Sequence, residues 1–263
     1  MATRLRTKLT VFSGIIGAPS WSPDGKLMAA WQDRVQTWLD LRIYDAKLNS
    51  KVVVKETSPA WTERLPLPHF LKDGSFIWQS DRTGHRHLYH YDKNFQLVKA
   101  LTQGDWDVRT VHGVDEAKSR VLFAANERNP IGNDAYSVNL DGSNFKRLTE
   151  EKGSHMVRWN KTFTHFVDSW SSMAQTPKQA LFTDAGVQVK MVDDAGVPTK
   201  LKDLQLATVK HQQIKSRNGF MMESLLFLPA NFDATKKYPV YQHLYAGPMA
   251  PQVRDQWNAN LYY

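Results

Sequence analysis

Phe76-Ile77-Trp78-Gln79-Ser80, a turn at Asp81-Arg82-Thr83-Gly84, then His87-Leu88-Tyr89-His90-Tyr91-Asp92: the fold turns on this stretch. Two short runs of aromatic and branched residues, with Lys72-Asp73-Gly74 in front and a Gly-containing turn between, read as paired strands. The same landmarks stand 47 residues upstream, Trp31-Gln32 for Trp78-Gln79 and Leu41-Arg42-Ile43-Tyr44-Asp45 for Leu88 to Asp92. A weaker copy, Ala135-Tyr136-Ser137-Val138-Asn139, stands 47 residues downstream, and Leu101-Thr102 meets Leu148-Thr149 at the same step. Trp21-Ser22-Pro23-Asp24-Gly25 opens the first copy as a tight turn feeding a strand. Val121 to Ala125, the turn at Asn129-Pro130-Ile131-Gly132, and Asp134 to Leu140 repeat the plan.

A fixed step in the forties, made of short strands and Asp-Gly turns, predicts β-propeller blades. An irregular β-sandwich is the alternative, but it needs no constant step, and a period of two excludes a helical solenoid. The pattern continues less regularly from Trp159 to Gly186, with Phe163 to Val167 and Ala180 to Phe182 as candidate strands. Val189 to Leu206 is polar and reads as a crossing segment between domains. Spacing changes after residue 207: Gln212 to Ser216, Phe220 to Leu228 and Tyr238 to Leu244 are expected strands, followed by Tyr245-Ala246-Gly247-Pro248.

Composition limits the function classes. Of the 263 residues, 41% are hydrophobic and 11% aromatic, enough for a packed core. The formal charge of +8 raises the prospect of an anionic partner. The positive residues are scattered, however, and Arg4, Arg6 and Lys8 are too few for a nucleic-acid arm, so no nucleic-acid partner is expected. Cysteine is absent, which removes disulfides, thiolate metal sites and a cysteine nucleophile. No apolar run approaches the ~18 residues of a membrane span. Leu9 to Ala18 after the basic start imitates a signal peptide, but Ser13, Gly14 and Gly17 interrupt it, so none is expected.

The string from Met222 to Pro248 resembles the opening of the catalytic domain in the prolyl oligopeptidase clan. It holds Leu228-Pro229-Ala230-Asn231-Phe232, Lys236-Lys237-Tyr238-Pro239-Val240 and the closing Tyr245-Ala246-Gly247-Pro248, the last most similar to dipeptidyl peptidase IV. Upstream, several elements resemble the late propeller blades of that family: Asp73-Gly74, Arg86-His87-Leu88-Tyr89, Tyr91-Asp92, Gln32-Asp33-Arg34 with Trp38, and Leu101-Thr102-Gln103-Gly104 with Trp106. The likeness runs from about Trp21 to the carboxyl terminus. It implies a mainly β chain. Residues 1–206 would be roughly the last four blades of an eight-bladed propeller. Residues 207–263 would be the truncated start of an α/β-hydrolase domain, its first three strands. The family activity is release of Xaa-Pro or Xaa-Ala dipeptides from peptide amino termini by a serine peptidase.

In an α/β-hydrolase the loop after the third strand supplies part of the oxyanion hole. The resemblance assigns that role to Tyr245, whose phenol could donate to the tetrahedral intermediate; Gly247 and Pro248 would only shape the turn. Gly-x-Ser-x-Gly occurs nowhere in the chain, and the Ser, Asp and His of this clan follow the oxyanion loop. The catalytic triad is therefore expected to be absent, and the chain inactive alone. Glu150-Glu151 invites comparison with the glutamate pair that reads a substrate amine in this family. It lacks the local context and reads as exposed charge, the true pair being expected upstream of residue 1. His85 and His87 share a strand face opposite His90, so a metal site is not expected and a hairpin surface is. Trp61 to Arg64 falls where relatives line the substrate cavity, but the following residues differ in length and no role is assigned.

No cofactor and no metal are expected, and the implied partner is a peptide substrate of the complete enzyme. A homodimer of the full-length protein and a periplasmic or secreted parent are compatible with the resemblance. A piece of a dipeptidyl peptidase is the leading reading; a non-catalytic propeller used as a binding module, and one half of a split peptidase, are the alternatives.

Overall fold

The computed structural model describes residues 14–17, 19–194, 196–199, 204, 206–245 and 251–258. The basic start and most of the segment compared with a signal peptide lie outside them. Four antiparallel sheets follow one another along the chain. The first holds β1 (Gly14–Ile16), β2 (Ser20–Trp21), β3 (Leu27–Asp33), β4 (Trp38–Tyr44) and β5 (Ser50–Thr57), in the order β1-β3-β4-β5 with β2 also on β3. The second is β6 (His69–Phe70), β7 (Phe76–Ser80), β8 (His87–Tyr91) and β9 (Leu97–Ala100), in chain order. The third is β10 (Val108–Asp115), β11 (Arg120–Ala125), β12 (Asp134–Asn139) and β13 (Lys146–Arg147), with one 3-10 turn at Glu116–Lys118. The fourth is β14 (Ser154–Trp159), β15 (His165–Ser172), β16 (Gln175–Thr183) and β17 (Gln188–Asp193). A separate hairpin pairs β18 (Thr208–Lys215) with β19 (Met221–Leu228).

Each sheet is a meander of propeller-blade type, and the 47-residue step marks equivalent places in successive blades. Its clearest physical expression is the turn into the outer strand. Leu48, Phe95 and Gly142, each 47 residues after the last, have φ of 64°, 67° and 79°. In each case the residue's N–H donates to the carbonyl three positions back, Asp45, Asp92 or Asn139, at 2.9 Å. The aspartates at the first two positions finish the turn: Asp45 Oδ1 accepts from Lys47 and Asn49 N–H, and Asp92 Oδ1 from Asn94 and Gln96 N–H.

The chain forms two compact units, residues 1–125 with 136–146, and residues 126–135 with 147–263. In the first unit, strand alternation distributes side chains between two cores. Phe76 and Trp78 of β7, with Tyr89 and Tyr91 of β8, face Met28, Leu39, Leu41 and Val54 of the first blade. Ile77 and Leu88, on the opposite face, meet Val111, Phe123, Tyr136 and Val138 of the third. All five residues of β7 are buried for this reason. A strand covered on both sides reads as a nearly unbroken apolar run, and the run that opened the sequence reading is such a strand.

The indole N–H of Trp78 and the hydroxyl of Ser80 need partners at that depth. The Glu56 carboxylate, from β5, accepts from Trp78 Nε1 (2.8 Å), Ser80 Oγ (2.8 Å) and Arg82 Nη2 (2.6 Å). Arg82 also donates to Tyr91 Oη at 3.0 Å and lies 4.3 Å above the Tyr89 ring. One carboxylate thus ties the first blade to the second.

Two sequence expectations change. Gln188 to Asp193 is the outer strand of the fourth blade rather than part of a crossing segment, because its backbone completes a ladder with β16. Tyr238 to Leu244 forms no strand, and Val240 and Tyr241 are each 89% exposed. A strand needs a neighbouring ladder, and among the described residues β18 and β19 pair only with each other.

Glu56→Ala leaves the buried Trp78 indole N–H and Ser80 hydroxyl without their acceptor and Arg82 without its carboxylate, and is expected to cost about 2 kcal/mol. Glu56→Gln, which keeps an acceptor, is expected to cost less; denaturant unfolding measures both, and a loss below about 1 kcal/mol for Glu56→Ala would refute the tie.

Candidate functional site

The residue singled out by sequence, Tyr245, follows a hairpin built for regular pairing: Thr208 faces Leu228 and Lys215 faces Met221, with no bulge between. Beyond β19 the chain turns at Pro229, whose carbonyl accepts from Phe232 N–H. Asp233 then organises a short loop, accepting from Thr235 N–H and Oγ1 and donating its own N–H to Tyr238 Oη at 3.0 Å. The Phe232 and Tyr238 rings lie 5.3 Å apart. This loop anchors the segment that leads to Tyr245. Tyr245 is 60% exposed, with no hydrogen bond among the described residues, so its phenol is open to an incoming acceptor. Gly247 and Pro248 lie outside the described residues.

Ten residues after Tyr245 the chain is fastened again. Asp255 N–H donates to Ile131 O (2.8 Å), and Asp255 Oδ1 accepts from Met173 N–H (3.0 Å). Trp257 N–H donates to Ser171 Oγ at 3.1 Å. The seat is the β15–β16 turn together with the loop before β12. That loop is stiff: Asn129 Oδ1 accepts from Ile131 N–H, and the Asn129 carbonyl accepts from Gly132 N–H.

Buried charge holds the seat in place. His155 Nδ1 lies 2.6 Å from Asp168 Oδ2, and Nε2 lies 2.9 Å from the Glu151 carbonyl and 3.7 Å from Asp134 Oδ1. Arg128 donates to Asp134 Oδ1 at 2.7 Å, to the Glu150 carbonyl at 2.8 Å and to the Glu151 carbonyl. Asn133 and His155 exchange two hydrogen bonds of 2.7 Å through the Asn133 amide, its carbonyl and the His155 backbone. Burial disfavours charge on the His155 ring, but the Asp168 carboxylate outweighs it, helped by the Glu151 carbonyl and Asp134, so its pKa stands above 6.5. Burial pushes the Asp134 carboxyl up against the pull of Arg128. Gly153 makes the close approach: its φ is +117°, and a Cβ there would lie 2.1 Å from Ser171 O.

The other sequence candidates are not drawn into this site. Glu150 is exposed and its carboxylate pairs with Arg147 at 3.1 Å, while the carbonyls of Glu150 and Glu151 serve Arg128. His87 is buried rather than on a hairpin surface; Nδ1 meets Thr102 Oγ1 at 3.1 Å, Nε2 meets Gly104 O at 2.9 Å, and Trp106 packs edge-on. Its place on a strand covered on both faces is the reason. His85 approaches Asp107 and His90 the Leu140 carbonyl, and among the described residues no three metal-binding side chains converge. Trp61 is 44% exposed, with its indole N–H on Glu63.

Two clefts of about 420 and 280 Å³ belong to the first unit. The larger is lined by Ser22, Asp24 and Lys26 with Asp73 and Lys93, and the smaller by Trp31, Arg42 and Tyr44; neither lining pairs a nucleophile with a histidine base. Sequence reasoning missed Asp255 and the His155–Asp168 pair. A Gly two residues before a His at the start of a strand is a weak sign, and nothing local marks Asp255.

Residues 5–177 match the dipeptidyl peptidase IV N-terminal region family, and the chain belongs to it. Dipeptidyl peptidase 4 from Arthroderma otae is 27% identical over 261 residues, covering 93% of this chain and 33% of its own length. The protein of the same name from Trichophyton equinum is 26% identical over 260 residues, again 93% and 33%. Dipeptidyl peptidase 4 from Porphyromonas gingivalis superposes with a TM-score of 0.83 at 22% identity, covering 93% of this chain and 35% of the other. The chain thus spans about a third of the length of these relatives. They are peptidases by name, and this chain is part of a peptidase family.

The raised pKa gives a sign. Folded His155 keeps its proton where the unfolded chain has lost it, so its contribution is complete below 6.5 and is lost as pH rises through the folded value. Burial drives His112, in β10, the other way, to about 4; its contribution is present above 6.5 and is lost as pH falls through about 4. Urea unfolding between about pH 4 and pH 9 should show stability falling at both ends. His155→Gln should flatten the alkaline limb and His112→Gln the acid limb; an alkaline limb unaltered in His155→Gln would show that the buried pair is not its source.

Proposed function

We propose that these residues form the propeller-to-peptidase junction of a serine-type dipeptidyl peptidase, an enzyme releasing Xaa-Pro and Xaa-Ala dipeptides from peptide amino termini. The observation carrying this reading is the Tyr245-Ala246-Gly247-Pro248 element, standing behind a hairpin that follows four blades of the family's propeller type. In this reading residues 1–206 contribute to the propeller and 207–263 begin the peptidase domain. Tyr245 is the oxyanion donor: a phenol on an accessible loop can meet the oxygen of a tetrahedral intermediate without first breaking a bond of its own. The nucleophile, base and orienting acid are not formed by this chain, which has no Gly-x-Ser-x-Gly, so the 263 residues bind no acyl intermediate alone.

The purified chain should release no chromophore from a Gly-Pro p-nitroanilide. A polypeptide carrying the same residues together with a Gly-x-Ser-x-Gly segment should release it, and Tyr245→Phe should lower its kcat by about 10²-fold with KM little changed. Hydrolysis by the chain alone, or full kcat in Tyr245→Phe, would overturn the assignment.

A further inference from the structure

We infer that Asn218, at the tip of the β18–β19 hairpin, is a modification site that deamidates spontaneously, passing with Gly219 through a cyclic imide to isoaspartate. Asn-Gly occurs once in the chain, at these two residues. Gly219 has a φ of +87°, and a Cβ placed on it would meet nothing nearer than Lys215 Cε at 4.0 Å. Nothing at position 219 obstructs a side chain turning back onto its nitrogen. Asn218 is exposed, and its side chain makes no hydrogen bond among the described residues. Other asparagines are held: Asn133 Nδ2 donates to the His155 carbonyl, Asn129 Oδ1 accepts from Ile131 N–H, and Asn160 Oδ1 accepts from Thr164 N–H. Aspartates that precede glycine are held in the same way. Asp73 accepts from the N–H and hydroxyl of Ser75, and Asp141 from those of Ser143.

The Gly219 nitrogen, after losing its proton to hydroxide, bonds to Asn218 Cγ. The Cγ–Nδ2 bond then breaks and ammonia leaves, taking its added proton from water. A water molecule opens the imide by adding to one of its carbonyl carbons and cleaving that carbon's bond to the ring nitrogen. Cleavage at Cγ gives aspartate; cleavage at the main-chain carbonyl routes the backbone through Cβ as isoaspartate. In sum, amide and water give acid and ammonia, with no oxidant and no cofactor. One bond opposes the attack, from Gly219 N–H to Ser216 O at 3.0 Å. It lies at the exposed tip of a hairpin whose strands pair only with each other among the described residues, and tips of that kind open locally. Isoaspartate lengthens the backbone between residues 218 and 219. The bond from Ser216 N–H to Phe220 O, 2.8 Å, closes the same turn and is displaced by the longer link, whereas the base of the hairpin, Thr208 opposite Leu228, lies at the other end of the ladder.

The experiment holds the 263-residue chain, as wild type and Asn218→Gln, in native buffer at mildly alkaline pH. Isoaspartate is read by labelling with an isoaspartyl methyltransferase and by mass mapping of the tryptic peptide Asn218 to Lys236. That peptide also carries Asn231, which precedes Phe232 and serves as the internal reference. Wild type is expected to lose the amide at Asn218, with isoaspartate appearing there, while Asn231 stays intact and Asn218→Gln takes no label. The converted chain carries a new carboxylate beside Arg217 and is separated by ion exchange. In that fraction amide hydrogen exchange at Ser216 should be about tenfold faster than in unconverted chain. Exchange at His155 N–H, bonded to Asn133 O in the fourth blade, should not change. An Asn218 amide that persists in native buffer but is lost in urea would overturn the inference, because the turn bond would then be protecting it. Equal conversion at Asn231 would overturn it too, and so would Ser216 exchange unchanged in the converted fraction. The outcome is independent of any role of Tyr245.

Discussion

A four-stranded blade has two faces and cannot bury either by itself, so each sheet depends on a neighbour. Everything in the first unit follows from that need. Phe76 and Trp78 fill one interface while Ile77 and Leu88 fill the next, because successive side chains of a strand point to opposite sides. Apolar burial of this kind is worth about 25 cal/mol per Å² and has no direction, so the blades also need polar contacts that set their register. The carboxylate of Glu56 supplies one, since a misplaced blade would leave Trp78 and Ser80 buried without an acceptor.

The blades were legible in sequence because the repeat is made of local signals. A strand-turn-strand unit needs an Asx residue, a left-handed position and alternation, and all three recur at a fixed step in Asp45 and Leu48, and in Asp92 and Phe95. The outer strand Gln188–Asp193 escaped because an edge strand has no apolar requirement, and its residues are mostly exposed. Tyr238 to Leu244 looked like a strand for the opposite reason: composition was suitable, but a ladder partner is a property of the fold and not of the segment. Tyr245 was singled out through family likeness. Asp255, His155 and Asp168 were not found, since hydrogen bonds between residues 82 apart in sequence, as between Met173 and Asp255, leave no local mark.

The loop beside the fourth blade is secured by a chain of charged groups, Arg128, Asp134, His155 and Asp168. A buried ion network is costly to desolvate and gives little net stability, but it tolerates few alternative arrangements. Such a network holds the loop before β12 in one arrangement against β14 and β15.

The recurring turns have a consequence for any attempt to interchange blades. Leu48, Phe95 and Gly142 share one backbone shape and occupy three different surroundings. Leu48 lines the smaller cleft, Phe95 packs 6.1 Å from the Phe76 ring, and the Lys99 side chain approaches within 3.1 Å of where Gly142 would carry a Cβ. A glycine grafted at position 95 would relax the main chain and empty part of an interface, whereas a phenylalanine grafted at 142 would have to push aside the end of the Lys99 side chain. Turns that share a left-handed position are therefore not interchangeable by sequence, because the side chain carried there answers to its own surroundings.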